Sequence, residues 1–207
     1  LVRPLQQMVW IQQHVVPGRF TVSASSMAGS SVLSWFKQVC FEGRQAEASI
    51  YRELDSLAAS VPAGCDGLLF HPYLFGERSP FYNPNAGGAF LGLRHWHGKG
   101  HLARSIMEGV AFAVANCVEA VQTIARQREE QVTVFRTGRS GGSQLPAWRQ
   151  IVTDALDHAL EGVDVDEPGC LGAALLAGTG IGVYADLPSA IQQTVQVTDR
   201  SSPDAAR

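Results

Sequence analysis

The longest periodic pattern in this sequence predicts an amphipathic helix that begins near His101. Apolar residues recur along it at steps of three and four: Leu102, Ile106, Val110, Ala113, Cys117, Val121 and Ile124. Gly98 is the expected N-cap, although glycine caps a helix less well than serine or threonine. This is the strongest periodic signal in the chain.

Shorter patterns on both sides of this helix predict strands and further helices. Strands are expected at 19–25, 67–74, 132–138 and 163–165, and helices at 30–40, 46–61, from Pro146 onwards and at 170–182. The long segment after the second strand is expected to be a loop. The mixture predicts an α/β fold in which residues 1–195 form one domain and residues 196–207 form a polar, frayed tail.

Composition and charge argue against several classes of function. The formal net charge is -3 and the 16 Lys and Arg residues are scattered, which argues against binding nucleic acid or an anionic membrane. No apolar run is long enough to span a membrane and the start has no signal-peptide pattern, so a cytoplasmic protein is predicted. The 4 cysteines lie far apart, which favours reduced thiols over disulfides or zinc. Because the sequence begins at Leu1 with no targeting pattern, we expect it to belong to a longer chain.

A glycine-containing turn joins a predicted strand to a predicted helix. The strand at 132–138 leads into RSGGSQLP, and Pro146 suits the first turn of the helix that follows. Such a turn is compatible with a nucleotide, because backbone N–H groups are free at a helix N-terminus and glycine allows close approach. Taken alone, a Gly-Gly pair favours a plain tight turn, so both interpretations stay open on the residues alone.

The segment FHPYLFGERSPFYNPNAGGAFLGL is dense in turn residues and aromatic side chains but contains no nucleophile with a matched base. Asn83, Asn85 and the glycine pair at 87–88 are turn residues by their own chemistry. Glu77 and Arg78 are compatible with contact to a substrate across a cleft, and equally with a buried ion pair that fixes the loop.

Three histidines follow this segment at positions 95, 97 and 101. A zinc site needs further ligands, and the sequence offers no cysteine or acidic residue at a matching spacing. A structural role is therefore predicted for them, and no metal site.

Several motifs in the right order resemble the FGGY family of carbohydrate kinases, and most closely its xylulokinase-like members. The second signature of that family is similar to GAFLGLRHWHGKGHLARSIMEGVAFA, in which every constrained position is filled. Further resemblances are carried by HVVPGRFTVSASSMAGSSVLSWF, PYLFGERSPFYNPNAGGAF, SGGSQLPAWRQIVTDAL and EPGCLGAALLAGTGIGVYADL. Together these motifs cover most of the chain, from about Arg3 to Ile191.

The resemblance implies an actin-like ATPase fold of ribonuclease H type, of which this chain is the second, C-terminal domain. It also implies ATP, with Mg²⁺ in the complete enzyme, and contacts to the nucleotide from the glycine turn and the helix after it: Gly141, Gly142, Ser143, Leu145 and Trp148. Leu145 stands where the family has a capping serine, so the helix cap is expected from Ser143, Gln144 or water, or is left unmade at a cost of about 1 kcal/mol. Trp148 is compatible with packing as well as with a place in the pocket wall.

The catalytic Asp and a phosphate-contacting loop of the family precede the region that this sequence resembles. No catalytic residue is therefore assigned here; Asp154, Asp164 and Asp166 do not match the base of the family. We expect the complete protein to phosphorylate xylulose or a related pentulose or polyol, and this chain alone to be inactive without the N-terminal kinase domain. A stand-alone nucleotide-binding or interaction module is the alternative, and an exposed cleft face is expected to allow homodimers.

Overall fold

The computed structural model describes residues 9–44 and 49–205, which form helices and short strands in alternation. The strands are β1 (Trp10–Gln13), β2 (Phe20–Ser23), β3 (Leu69–Pro72), β4 (Gly88–Leu91), β5 (Phe135–Thr137), β6 (Leu160–Val163) and β7 (Val197–Ser201). The helices are α1 (Ser30–Cys40), α2 (Ser49–Ala59), α3 (Lys99–Gln127), α4 (Pro146–Leu156), α5 (Pro168–Gly180) and α6 (Leu187–Thr194). Two 3-10 turns lie at Cys65–Gly67 and Gly141–Gln144.

The strands pair in three small groups. β1 pairs with β2 and β3 with β4, both antiparallel. β5 and β6 are parallel, and β7 adds to β6 antiparallel. Because a parallel pair needs a crossover, α4 runs from the end of β5 back to the start of β6 and completes a β-α-β unit.

The long helix α3 lies at the centre of the core and packs against α2, α4 and β3. Its residues from Ala103 to Ala111 are all buried, so this stretch is surrounded on every side. Ile106 and Met107 have no exposed surface, and β3 approaches so closely at Gly109 that a Cβ there would lie 2.4 Å from the carbonyl oxygen of Phe70. The periodic stripe thus predicted the helix and its burial, while the neighbours also cover its polar positions.

A buried ion pair accounts for the polar residues inside this stretch. Arg104 Nε donates to Glu108 Oε1 at 2.8 Å, and Arg104 Nη1 donates to the carbonyl of Ala58. The amide of Gly64 donates to Glu108 Oε1 and the thiol of Cys65 to Glu108 Oε2. Both charges therefore keep several partners in the core, which is the condition under which a buried pair is tolerated.

Most predicted elements are confirmed. α1 covers the predicted residues 30–40, and α3 begins after Gly98 as its N-cap. The imidazole of His101 accepts from the amide of Gly98, which strengthens this weak cap. The predicted start of α2 at Ala46 lies outside the described residues. β4 lies within the segment expected to be loop, where it pairs with β3.

Two predictions near the C-terminus are wrong. The strand expected at 163–165 runs from Leu160 to Val163, and the tail expected to fray forms β7. β7 is polar because it is an exposed edge strand: the backbone ladder to β6 holds it, and Arg200 lies opposite Glu161. In α5, Leu175 alone is buried among the described residues of the helix.

None of the helices within the described ranges is both long and apolar enough to cross a membrane. The four cysteines are free thiols, of which Cys65 and Cys117 are buried and Cys170 is exposed. Burial, with a smaller effect of Glu77, raises the pKa of the Cys117 thiol to about 11. Burial and the adjacent Glu108 also raise the pKa of Cys65.

Gly109→Ala tests the close approach of β3 to α3. Alanine in a helix interior is normally favoured over glycine by about 1 kcal/mol. Here the added methyl meets a backbone carbonyl, so we expect the substitution to lower the free energy of unfolding by about 1–3 kcal/mol in urea denaturation. Gly172→Ala is the control, because its Cβ in α5 would meet nothing within 4 Å and the change should stabilise. Equal effects at the two sites would contradict this packing.

Thiol labelling tests the burial of the cysteines. The thiolate is the reactive form, and a pKa of about 11 leaves about one Cys117 in a thousand ionised near pH 8. We expect a chromogenic disulfide reagent to label Cys170 rapidly in the native protein and Cys65 and Cys117 only on unfolding. Cys40 is half-buried, so the test is made in a Cys40→Ser background. There Cys170→Ser should remove the fast phase, and its persistence would show that a buried thiol is accessible.

Candidate functional site

The turn between β5 and α4 is shaped by its two glycines. Gly141 has φ of 57°, which side chains disfavour, and a Cβ on Gly142 would lie 2.6 Å from the indole ring of Trp148. Both residues open the 3-10 turn, so their N–H groups have no carbonyl one turn earlier to bind. The glycine pair therefore serves close packing against Trp148 and leaves two backbone donors at the turn.

Ser143 and Gln144 stabilise this turn from inside. Ser143 Oγ lies 2.6 Å from the carbonyl oxygen of Gly138 and 2.7 Å from that of Ser140, so its single proton serves one of them at a time. Gln144 Nε2 donates to the carbonyl of Arg139 at 2.6 Å. Both side chains are directed at the turn backbone, and neither caps α4.

The cap of α4 comes from another helix. Asp55 of α2 accepts from the amide of Ala147 through Oδ2 at 3.1 Å and from the amide of Trp148 through Oδ1 at 3.0 Å. The prediction that Ser143, Gln144 or water caps this helix is thus wrong. Leu145 is 8% exposed and packs in the hydrophobic core. A capping side chain at this position is not needed, because Asp55 accepts the hydrogen bonds of the first α4 amides.

The glycine turn borders a cavity of about 430 Å³. Its walls come from α1, α2, the turn and α4: Ser30, Leu33, Tyr51, Arg52, Gly141, Gly142, Gln144, Leu145 and Trp148. A second cavity of about 260 Å³ lies on another side of Trp148 and includes Ser143. The larger volume falls in the range of small-molecule sites.

The five residues predicted to contact nucleotide are brought together here, all lining one or both of these cavities. Trp148 is 5% exposed and belongs to the core cluster, so it packs and forms the wall at once. Its indole Nε1 is buried and has no hydrogen-bond partner within residues 9–44 and 49–205. Nucleotide contact by these residues stays a prediction.

Sequence reasoning missed the wall contributed by α2. Tyr51 and Arg52 lie one helical turn before Asp55, on the side of α2 that faces the glycine turn. The Tyr51 hydroxyl lies 3.0 Å from Ser34 Oγ of α1, and Lys37 Nζ lies 4.6 Å from the centre of the Tyr51 ring. No local motif marks these residues, because they reach the site only through tertiary packing.

Glu77 and Arg78 have different environments. Glu77 is 2% exposed and accepts from Ser26 Oγ at 2.7 Å and from the amides of Met27 and Arg78. The side chain of Arg78 is exposed and lies near Met27 Sδ and the ring of Trp10. The interpretation as a buried Arg–Glu pair is wrong, since three hydrogen-bond donors already satisfy the carboxylate. Substrate contact by either residue stays a prediction.

The acidic residues beyond the turn have structural partners. Asp154 accepts from Gln150 Nε2 and from the amide of Asp204, which attaches the end of the chain to α4. Asp164 pairs with Arg139, and Asp166 borders a separate polar cavity.

Two histidines at the start of α3 accept hydrogen bonds from backbone amides. His97 Nδ1 accepts from the amide of Arg94, and His101 Nδ1 from that of Gly98. His101 Nε2 lies 3.2 Å from Asp66 Oδ2. In the part of the chain that the structure describes, no three or more His, Cys, Asp or Glu side chains form a group able to hold a metal.

Glu77→Gln tests the role of the buried carboxylate. The amide replaces one acceptor oxygen with a donor that faces other donors, so we expect the free energy of unfolding to fall by about 1–3 kcal/mol. Arg78→Ala is the neighbouring comparison and should cost less than about 1 kcal/mol, because an exposed cation near an aromatic ring contributes little. Urea denaturation of both variants measures the difference, and the reverse order would refute this assignment.

Known proteins resemble this chain in both sequence and structure. The xylulose kinase of Staphylococcus epidermidis is 29% identical over 191 residues, which are 92% of this chain and 36% of that protein. The gluconokinase of Bacillus subtilis is 33% identical over 186 residues, 84% of this chain and 34% of that protein. The crystal structure of xylulose kinase from Rhodospirillum rubrum superposes with a TM-score of 0.80 at 29% identity, over 96% of this chain and 38% of that one.

The chain spans about a third of the length of these curated relatives. The family model that matches describes the C-terminal domain of the FGGY family of carbohydrate kinases, and it covers residues 3–181. Motifs, fold and relatives agree with the expected actin-like ATPase architecture. The chain therefore belongs to the FGGY family of carbohydrate kinases and is a xylulokinase-like C-terminal domain.

Proposed function

We propose that this chain is the nucleotide-binding half of an ATP-dependent sugar kinase whose acceptor is xylulose or a related pentulose or polyol. The observation that carries the proposal is the cavity of about 430 Å³ beside the glycine turn, lined by all the predicted nucleotide contacts except Ser143. Relatives named xylulose kinase and gluconokinase support the sugar class. The complete protein would transfer the terminal phosphoryl group of ATP to a sugar hydroxyl.

The cavity has the chemical character that a purine nucleoside requires. Tyr51 and Trp148 provide aromatic surface, and Leu33 and Leu145 provide aliphatic surface. The N–H groups of Gly141 and Gly142 are donors at its edge, and the guanidinium of Arg52 is a nearby positive charge. In this proposal the chain binds and orients the nucleotide and excludes water from the base.

The residues that the structure describes do not form a complete site for the Mg²⁺ that accompanies ATP. Among the described residues no group of three or more potential ligands is present, and Asp164 near the turn is already paired with Arg139. Magnesium in phosphoryl-transfer enzymes takes one or two carboxylates together with the phosphates. We therefore assign no Mg²⁺ ligand here and route no step through the ion.

Phosphoryl transfer needs a positioned acceptor hydroxyl, a base and phosphate donors on both sides of the reacting centre. The carboxylates Asp154, Asp164 and Asp166 have structural partners or lie away from the cavity of about 430 Å³, so none of them is proposed as the base. We propose that an N-terminal kinase domain supplies the base and the sugar site, and that this chain alone is inactive.

Exposed apolar side chains support contacts with such a partner domain or with a second copy. Leu69 on β3 and Leu91 on β4 lie opposite each other and are 52% and 49% exposed. Apolar cross-strand pairs in water favour association. We propose a cytoplasmic protein in which the partner domain covers part of this surface, with homodimers as a further possibility for the isolated chain.

Gly142→Ala tests the nucleotide site. Its methyl would occupy the space of the Trp148 ring, so we expect the dissociation constant for ADP, measured by calorimetry on the complete protein, to rise at least about tenfold. Gly169→Ala is the matched control, since a Cβ there meets nothing within 4 Å. An unchanged ADP affinity in Gly142→Ala would remove the turn from the site.

Kinase assays separate the proposed function from its alternative. The complete protein should phosphorylate at least one sugar from a panel of ketoses, aldoses and polyols with ATP, and the 207-residue chain alone should phosphorylate none. Nucleotide binding without turnover in the complete protein would support a stand-alone binding module instead. Turnover by this chain alone would refute the assignment of the base to another domain.

A further inference from the structure

We propose that Asp55 is a positioning residue that sets the width of the nucleotide cavity. Its carboxylate joins α2, which carries one wall, to the N-terminus of α4, which carries the opposite wall. The inference rests on the proposed nucleotide site and adds to it a residue that lies outside the predicted contacts.

The carboxylate is fully engaged by the first available donors of α4. Pro146 has no N–H, so the amides of Ala147 and Trp148 are the first two of the helix, and Asp55 binds each with a different oxygen. Asp55 is 7% exposed. A negative charge at a helix N-terminus is also favoured by the helix dipole. The bond to Asp55 fixes the backbone of Trp148. It therefore also fixes the point from which the indole side chain extends to the cavity wall.

The same helix carries the facing wall. Tyr51 and Arg52 precede Asp55 by one turn and line the cavity with Trp148. Tyr51 is in turn hydrogen-bonded to Ser34 of α1, which contributes Ser30 and Leu33 to the lining. The spacing between the Tyr51 side and the Trp148 side of the cavity is therefore determined where Asp55 binds the α4 amides.

Loss of this contact should change the site more than the fold. α2 is anchored independently by Ile50, Leu54 and Ala58, which have no exposed surface and belong to the main core cluster. α4 is anchored by Trp148 and Ile151 in the same cluster. The hydrogen bonds of the Asp55 carboxylate are directional, so they fix the position of α4 relative to α2. Apolar contacts alone would allow small shifts between the two helices.

The test uses the complete protein with Asp55→Ala and Asp55→Asn, and Glu53→Gln as the matched control. Glu53 lies on the same helix but is exposed and pairs with Arg44. We expect the ADP dissociation constant to rise about tenfold in Asp55→Ala and about threefold in Asp55→Asn, which keeps one acceptor oxygen. The KM for ATP should rise in parallel while kcat stays within about twofold, because the loss is in nucleotide binding. Glu53→Gln should change neither quantity.

A double-mutant cycle distinguishes positioning from general stabilisation. If Asp55 acts through Trp148, Asp55→Asn should weaken ADP binding much less in a Trp148→Phe background than in the wild type.

Equal losses in both backgrounds, or a lowered melting temperature with unchanged ADP affinity, would overturn the inference. Asp55→Asn preserves the shape of the side chain and keeps the test valid if Asp55→Ala does not fold. A wild-type protein that binds no ADP overturns the nucleotide site and this inference together, whereas binding that is equal in all variants overturns this inference alone.

Discussion

The burial of α3 on every side is the constraint on which the rest of the structure depends. A helix that is covered around its whole circumference from Ala103 to Ala111 needs neighbours in several directions, and α2, α4 and β3 provide them. Its two charged residues in this stretch are tolerated because they pair with each other. Glu108 also accepts from the amide of Gly64 after α2, and Arg104 donates to the carbonyl of Ala58 in α2. Packing around α3 thus brings α2 and α4 side by side, which neither helix would achieve through its own sequence.

The candidate site is a consequence of that arrangement. Once α2 and α4 lie against α3, a carboxylate on one helix reaches the free amides of the other, and a cavity remains where the glycine turn keeps the backbone close to Trp148. The groups that hold the turn, Ser143 and Gln144, are satisfied by local carbonyls. The turn therefore keeps its shape through bonds within the chain.

The sequence predicted those features whose cause is local. Periodicity indicated α3 and its cap at Gly98, and the order of strand, glycine turn and proline indicated the turn that leads into α4. What it missed depends on contacts between distant residues. Asp55 lies 92 residues before the first amide that it binds, and nothing around Leu145 indicates where a substitute cap comes from. An ion pair with Arg78 was one of two equal interpretations of Glu77, yet apart from the amide of Arg78 its partners lie on a segment about 50 residues earlier. The polar composition of the last segment predicted a frayed tail. The segment forms β7 instead, because backbone hydrogen bonds to β6 hold this edge strand, and composition gives no sign of such bonds.

Under the proposed function, this chain binds the nucleotide and another domain supplies the catalytic base, and this division has a physical reason. Transfer of a phosphoryl group depends on alignment of two substrates, so a kinase gains from keeping each substrate on its own rigid domain and assembling the reacting centre when the domains close. Under the proposed function, the helices α1, α2 and α4 form such a rigid nucleotide holder, fixed to α3 and to each other through Asp55 and Tyr51. Under the same proposal, a rigid holder keeps the nucleotide at a constant position, and specificity for the sugar can change in the other domain without altering this half. That proposal is consistent with the similar identity, 29% and 33%, at which a xylulose kinase and a gluconokinase align to this chain.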